Sequence, residues 1–192
     1  MTSTNAPSHA TAAAVTVDGF DVLDACHRQT LLTLDKLGDL VQRLTNGGAD
    51  AQARALAAEI VHFFSTTARQ HHEDEERHVF PNLATSDDPH IVHAVLRLSQ
   101  DHNWLEEDWM ELSAQIDAVA CGLSWYDLDT LREGVEVFAA LSRDHIALEE
   151  SLIYPQARAR LAAGERREMG REMAKRRRAL RGAVPPAPNQ RG

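Results

Sequence analysis

Cysteine is scarce: Cys26 and Cys121 are the only two in 192 residues, and they form no CxxC pair. Two such thiols cannot build a disulfide framework, and both are expected to be free. Long apolar runs are missing as well. None approaches the roughly 20 residues that a bilayer crossing requires, which excludes a membrane span. Positive charge is outweighed, with 20 Lys and Arg against 29 Asp and Glu. The resulting net charge of −9 argues against general nucleic-acid binding. The first 17 residues carry neither a basic leader nor a solid apolar segment. They do not read as a secretory signal, so the cytoplasm is the expected compartment. What the chain does have is 43% hydrophobic and 26% charged residues, enough for one globular domain with a real core. It also has ten histidines, clustered among carboxylates instead of standing in a tag-like run.

Residues 1–17, rich in Ser, Thr, Ala and Pro, predict a flexible N-terminal arm. A domain over 18–161 follows. Phe20, Leu23, His27, Thr30, Leu34, Leu37, Val41 and Leu44 recur by threes and fours, the stripe of an amphipathic helix that Asn46-Gly47-Gly48 ends. A second helix, from near Asp50, puts Ala57, Ile60, Phe64, Thr67 and His71 on one face and is expected to end near Pro81. Asp88-Pro89 suits the start of a third helix. Its face runs Val95, Leu98, His102, Leu105, Trp109, Leu112, Ile116 and Val119 before Cys121-Gly122. A fourth, from about Asp127, carries Leu131, Val135, Phe138, Leu141, His145, Leu148 and Leu152, with Pro155 near its end. No segment alternates with a period of two. The pattern predicts an all-α fold, an antiparallel up-down-up-down four-helix bundle. Residues 162–192 form a basic C-terminal extension, partly helical and then disordered. The stretch 158–181 carries +7 while the rest of the chain carries −16. It reads as a solvated helix packing Met169 and Met173 lightly on the bundle, or else as a docking segment for an acidic protein partner or an anionic surface.

Each helix thus places one histidine in its own apolar stripe, where an imidazole needs a partner. Depth along the bundle aligns them. His27 lies 18 residues before Thr45 and His71 lies 21 after Asp50, so both sit about 27–31 Å from the connection they share. His102 lies 18 before Ala120 and His145 lies 19 after Tyr126, which levels that pair at about 27–28 Å. Glu75 and Glu149 follow His71 and His145 at a spacing of four, so each pair shares a helical face. One such pair is commonly a surface contact; two copies, each opposite another stripe histidine, point to metal. Four imidazoles and two carboxylates suit iron, manganese or zinc rather than calcium or magnesium. Two ions fit better than one: each would take two imidazoles, with both carboxylates and a bridging oxo or hydroxo group between them, leaving one open position on each. His72 is rotated by about 100° from His71 and is read as pointing elsewhere, as is Cys26 relative to His27. His78 is expected in the core or behind the ligands, and His62, His90 and His93 at the surface.

Residues 71–76 followed by Val79-Phe80-Pro81, and 145–150 followed by Ile153-Tyr154-Pro155, share the form HxxxEExxx-aromatic-Pro. With His27 and His102 they resemble the H…HxxxE…H…HxxxE arrangement of the hemerythrin-like, HHE cation-binding family, over about Phe20 to Ala159. The resemblance implies a pair of non-heme iron ions inside a four-helix bundle, held by His27, His71, Glu75, His102, His145 and Glu149. Members similar to this chain bind dioxygen, respond to oxygen or redox state, handle peroxide or nitric oxide, or help repair iron centres. Oxygen-carrying members place two histidines four apart on the third helix. Here Glu106 stands four after His102, which argues against reversible oxygen carriage and makes Glu106 either an additional ligand or a residue at the polar edge.

The expected function is therefore binding of O2, NO or peroxide at a metal pair, for oxygen or redox response or detoxification, with turnover of peroxide or nitric oxide as its enzymatic form. The alternative is a sensor of iron or oxygen that signals through a partner without turnover. Phe64, Leu98, Trp109, Phe138 and Leu141 are expected to shield the site, and Tyr154 to pack near a helix end.

Overall fold

Four aspartates fix where the long helices begin. Asp18, Asp50, Asp88 and Asp127 all have extended backbone and accept from the N–H of Phe20, Ala53, His90 and Thr130 at 2.7–3.0 Å, satisfying donors that a helix start leaves unpaired. Stops are set by Gly48 and Gly122, both at φ 72°, a left-handed conformation that glycine adopts without a Cβ penalty. The computed structural model describes residues 17–183, so residues 1–16 of the N-terminal arm and the Pro185–Pro188 segment lie outside the described residues. Its helices are α1 (Gly19–Gly47), α2 (Ala51–His62), α3 (Arg69–His78), α4 (Phe80–Ala84), α5 (Pro89–Ala120), α6 (Leu128–Leu148), α7 (Tyr154–Arg160) and α8 (Ala163–Ala183). Two π-helical segments, Phe63–Ala68 and Glu149–Ile153, join α2 to α3 and α6 to α7. Among the described residues there is no strand, and no helix is long and apolar enough to cross a membrane.

α1 packs against α2 and α6, and α5 packs against the same two. The apolar stripes meet in two separate clusters. One gathers Leu34, Leu37, Ile60, Leu112, Ile116 and Phe138; the other gathers Phe20, Leu23, Leu83, Leu98, Ile153 and Met173. Between them along α1, α5 and α6 lies a buried polar layer containing His27, Asp101, His102, Ser142 and His145. An apolar core interrupted at one level by buried histidines and carboxylates costs stability unless those groups are satisfied there.

Two departures from straight helices matter to that layer. The wider turn at Phe63–Ala68 shifts the stripe by one residue, so Ala68 is buried in place of the expected Thr67, which is only partly buried. Pro81 does not end the second rod. The chain bends at Val79 (φ −101°, ψ −57°), and Pro81 falls in the first turn of α4, where its missing N–H is harmless.

The basic extension is not a lightly packed solvated helix. Met169 and Met173 are 4% and 0% exposed, and α8 lies along α1 so closely that a Cβ at Gly170 would overlap the backbone of Val17. Ion pairs fasten it: Arg166 Nε donates to Asp18 at 2.8 Å, and Arg177 Nη2 donates to the buried Asp74 at 2.8 Å, beside Arg176. His78, expected in the core or behind the ligands, instead pairs with Glu172 of α8. Met173→Ala should therefore lower unfolding free energy by about 2–5 kcal/mol in urea denaturation. Lys175→Ala, on the exposed side of α8, should change it by less than about 0.5 kcal/mol.

Candidate metal centre

His27 from α1, His71 and Glu75 from α3, His102 from α5, His145 at the end of α6 and Glu149 one turn later are all buried, at 0–5% exposure. Their ligand atoms converge. His71 Nε2 lies 3.2 Å from Glu75 Oε1, and His27 Nε2 lies 3.1 Å from Glu149 Oε2. On the opposite side, His102 Nε2 is 3.5 Å from Glu75 Oε2 and His145 Nε2 is 3.3 Å from Glu149 Oε1. Each carboxylate thus offers one oxygen to one histidine pair and its other oxygen to the other pair. The resulting four-residue groups, His27–His71–Glu75–Glu149 and Glu75–His102–His145–Glu149, each bring their ligand atoms within 4.8 Å of one another and share both glutamates.

Most of these atoms have no other use. Glu75 Oε2, both oxygens of Glu149, His102 Nε2 and His145 Nε2 are buried without a hydrogen-bond partner. Unsatisfied buried polar groups are rare in native proteins, and several in one place call for an ion. The donor set is nitrogen and carboxylate oxygen, which suits a transition metal. Geometry and chemistry therefore fit a bound cation.

The outer nitrogens of two of the imidazoles are held by carboxylates. His27 Nδ1 pairs with Glu150 Oε1 at 3.0 Å and His102 Nδ1 with Glu76 Oε1 at 2.9 Å. In each case the second glutamate of one HxxxEE segment orients a histidine of another helix through Nδ1, so that Nε2 is the atom directed inward. Asp101, buried on α5, stands 3.7 Å from His145 Nδ1. The doubled glutamates were visible in the sequence as a repeated motif. Asp101, next to a stripe histidine, carried no such signal.

Tyr154 is not simple packing at a helix end. Its hydroxyl donates to Glu75 Oε1 and lies 3.1 Å from His27 Nε2, while its ring stacks on His27 at 5.1 Å. The matching residue of the other motif, Phe80, stacks on His102 at 5.4 Å and has no hydroxyl. One oxygen therefore makes the two halves chemically unequal, where the sequence suggested a symmetrical pair. His72 also belongs here: its ring stacks on His102 at 4.1 Å and lines the same cavity as His71. Glu106 lies outside the cluster, half exposed and 3.0 Å from Arg69, at the edge of that cavity. Leu98 packs in the other apolar cluster and Leu141 is only partly buried, so neither lines the cavity; Phe64, Trp109 and Phe138 do. Cys26 is buried but belongs to none of the converging groups, and burial together with Glu75 pushes its thiol up to about 12.

Protons compete with a cation for this cluster. Burial opposes charge on His27 and His145, yet the carboxylates of Glu149, Glu75 and, for His145, Asp101 outweigh it and raise both to about 10. Burial lowers His71 to about 4. Glu75 resists desolvation because His71, His102 and His27 hold its carboxyl well below the usual range.

Residues 18–157 match the family described as the hemerythrin HHE cation binding domain, and the chain belongs to that family. It is also 31% identical over 157 residues to an uncharacterized protein of Haemophilus influenzae, covering 82% of this chain and 88% of that one.

Two tests follow from the cluster. Because His27 and His145 hold protons at neutral pH, metal uptake at pH 7 should release up to about two protons per chain, and apparent affinity should climb as pH rises toward 10. Titration in weakly buffered indicator dye checks this, and uptake without proton release would contradict it. Glu76→Ala and Glu150→Ala should each weaken metal binding by about 10–100-fold in competition with a chelator, while His62→Ala, at an exposed site, should not.

Proposed function

We propose that this chain is a cytoplasmic non-heme di-iron protein whose metal pair binds a small ligand of the O2, NO or peroxide class, for oxygen or redox response or for detoxification. The observation that carries the reading is the division of oxygens. Glu75 and Glu149 each direct one oxygen to His27 and His71 and the other to His102 and His145. One ion would leave half of these atoms unpaired; two ions use them all. His27, His71, Glu75 and Glu149 would hold one iron, and His102, His145, Glu75 and Glu149 the other. In this reading α1, the α2–α4 rod, α5 and the α6–α7 rod run up-down-up-down as a four-helix bundle over 18–161, with the basic extension as an appended fifth helix.

Bound here, iron supplies coordination positions and electrons for a small oxidised or diatomic ligand. The protein's own residues do the rest. Glu76 and Glu150 hold His102 and His27 in the tautomer that keeps Nε2 free. Burial, together with Glu75 and Glu149, keeps the Tyr154 phenol protonated, so it remains a hydrogen-bond donor beside one ion position. Phe64, Trp109 and Phe138, with ring centroids 4.8–5.7 Å apart, exclude water from the approach.

A sensor is the second reading, and Asp74 favours it. Asp74 is buried next to the ligand Glu75 in sequence, and it anchors Arg176 and Arg177 of α8. A shift of α3 on ligand binding would reach the basic helix directly. Catalytic consumption of peroxide or nitric oxide supports the enzyme; stoichiometric binding with changed hydrogen exchange in α8 supports the sensor.

His71→Ala and Glu149→Ala should each reduce bound iron and abolish ligand-to-metal absorption, and His90→Ala, exposed on α5, should do neither. Metal analysis of the three purified variants decides, and equal iron content in all of them would defeat the assignment.

A further inference from the structure

Beside the histidine cluster lies a cavity of about 220 Å³, with His27, His71, His72 and His145 at its inner end. Its walls are Phe64, Ala68, Leu105, Trp109, Phe138 and Ile146, and its rim is Arg69, Glu106, Met110 and Ser113. This is more space than a diatomic molecule or peroxide fills. Glu75, Glu149 and His102 do not line it, so ions held by them would sit beside the cavity, and a small ligand of about a water's 30 Å³ leaves most of the volume unused. An apolar cavity of about 150 Å³ stays dry and takes up benzene, so this one matches a body of roughly nine non-hydrogen atoms.

The surroundings define the occupant's chemistry. The walls carry no unpaired charge: Ser142 donates to the Phe138 carbonyl at 2.8 Å, and Ser65 accepts from Trp109 Nε1 at 3.1 Å. At the rim Arg69 and Glu106 pair at 3.0 Å and neutralise one another. Beside these aromatic walls an ion would lose its hydration with no counter-charge in reach, and charge is confined to the histidines of the inner end. Polar groups are concentrated at the inner end. His72 lies parallel to His102, with 14° between the ring planes, and a ring nitrogen of His72 comes within 4.8 Å of ligand atoms of His102 and His145. His72 therefore stands at the inner end of the cavity, beside the second histidine pair.

We infer that this cavity binds an organic molecule with an uncharged aromatic or branched aliphatic body and one oxygen-bearing end, the body lying among Phe64, Trp109 and Phe138 and the oxygen end meeting His72 beside the metal pair. The inference rests on the metal-centre reading for what the oxygen end faces, and on the cavity alone for the apolar body.

The full chain with Trp104→Phe and Trp125→Phe retains Trp109 as its single tryptophan, on the cavity wall. Its fluorescence would be titrated with 1-phenylethanol and with ethanol, in iron-loaded and chelator-stripped protein, with iron content measured in parallel. Expected is saturable binding of 1-phenylethanol below about 1 mM and none of ethanol at the same concentrations. Ala68→Phe and Ile146→Phe, each filling the cavity from a different side, should each weaken it at least about tenfold with iron content unchanged. Failure of 1-phenylethanol to bind iron-loaded protein, equal response to ethanol, or undiminished binding in every folded filling variant would overturn the inference while leaving the metal centre intact. Binding to protein that takes up no iron would preserve the cavity and defeat the metal reading instead.

Discussion

Buried charge without a partner is the constraint on which this structure depends. At one level of the core, two carboxylates and four imidazoles face each other across distances too long or too poorly aligned to satisfy all of them. Such a layer is costly when left uncompensated. Placing cations between the facing atoms turns the same arrangement into a cross-link among α1, α3, α5 and the end of α6. Protons on His27 and His145 can substitute in part, and that is why their affinity for protons is raised so far.

The rest of the molecule supports that layer. Two apolar clusters, one on each side, hold the helices at fixed separation, and both π segments adjoin the motif residues. Widened turns let His71 and Glu149 face inward while their neighbours still pack. Around the cluster, Glu76 and Glu150 orient the imidazoles of His102 and His27. Asp74 ties the ligand-bearing α3 to α8. The acidic body and basic extension seen as a charge contrast in the sequence are therefore an intramolecular contact, at least through Asp18 and Asp74.

What could be read from the sequence followed from periodicity and spacing. The helix starts at Asp18, Asp50, Asp88 and Asp127 and the glycine stops carried local signals, and the residues of the histidine layer shared a depth that simple helix rise could compute. Other features depend on tertiary contacts that no local pattern encodes. Tyr154 sits in the cluster because a wide turn rotates it toward His27. His72, a step of about 100° from His71, reaches the cavity through stacking on His102. Met173 is buried because α8 folds back on α1, although its own sequence is mostly charged. Membership of the HHE cation-binding family agrees with the motif reading, while the identity of the metal and of its ligand are matters of chemistry at the site.

The central claim is that two ions lie between the histidine pairs and are bridged by the same two glutamates. Anomalous diffraction at the iron absorption edge, from crystals of iron-loaded protein, tests it most directly. The account predicts two peaks per chain, one beside His27 and His71, the other beside His102 and His145, with Glu75 and Glu149 between them. A single peak, or none within this layer, would contradict it.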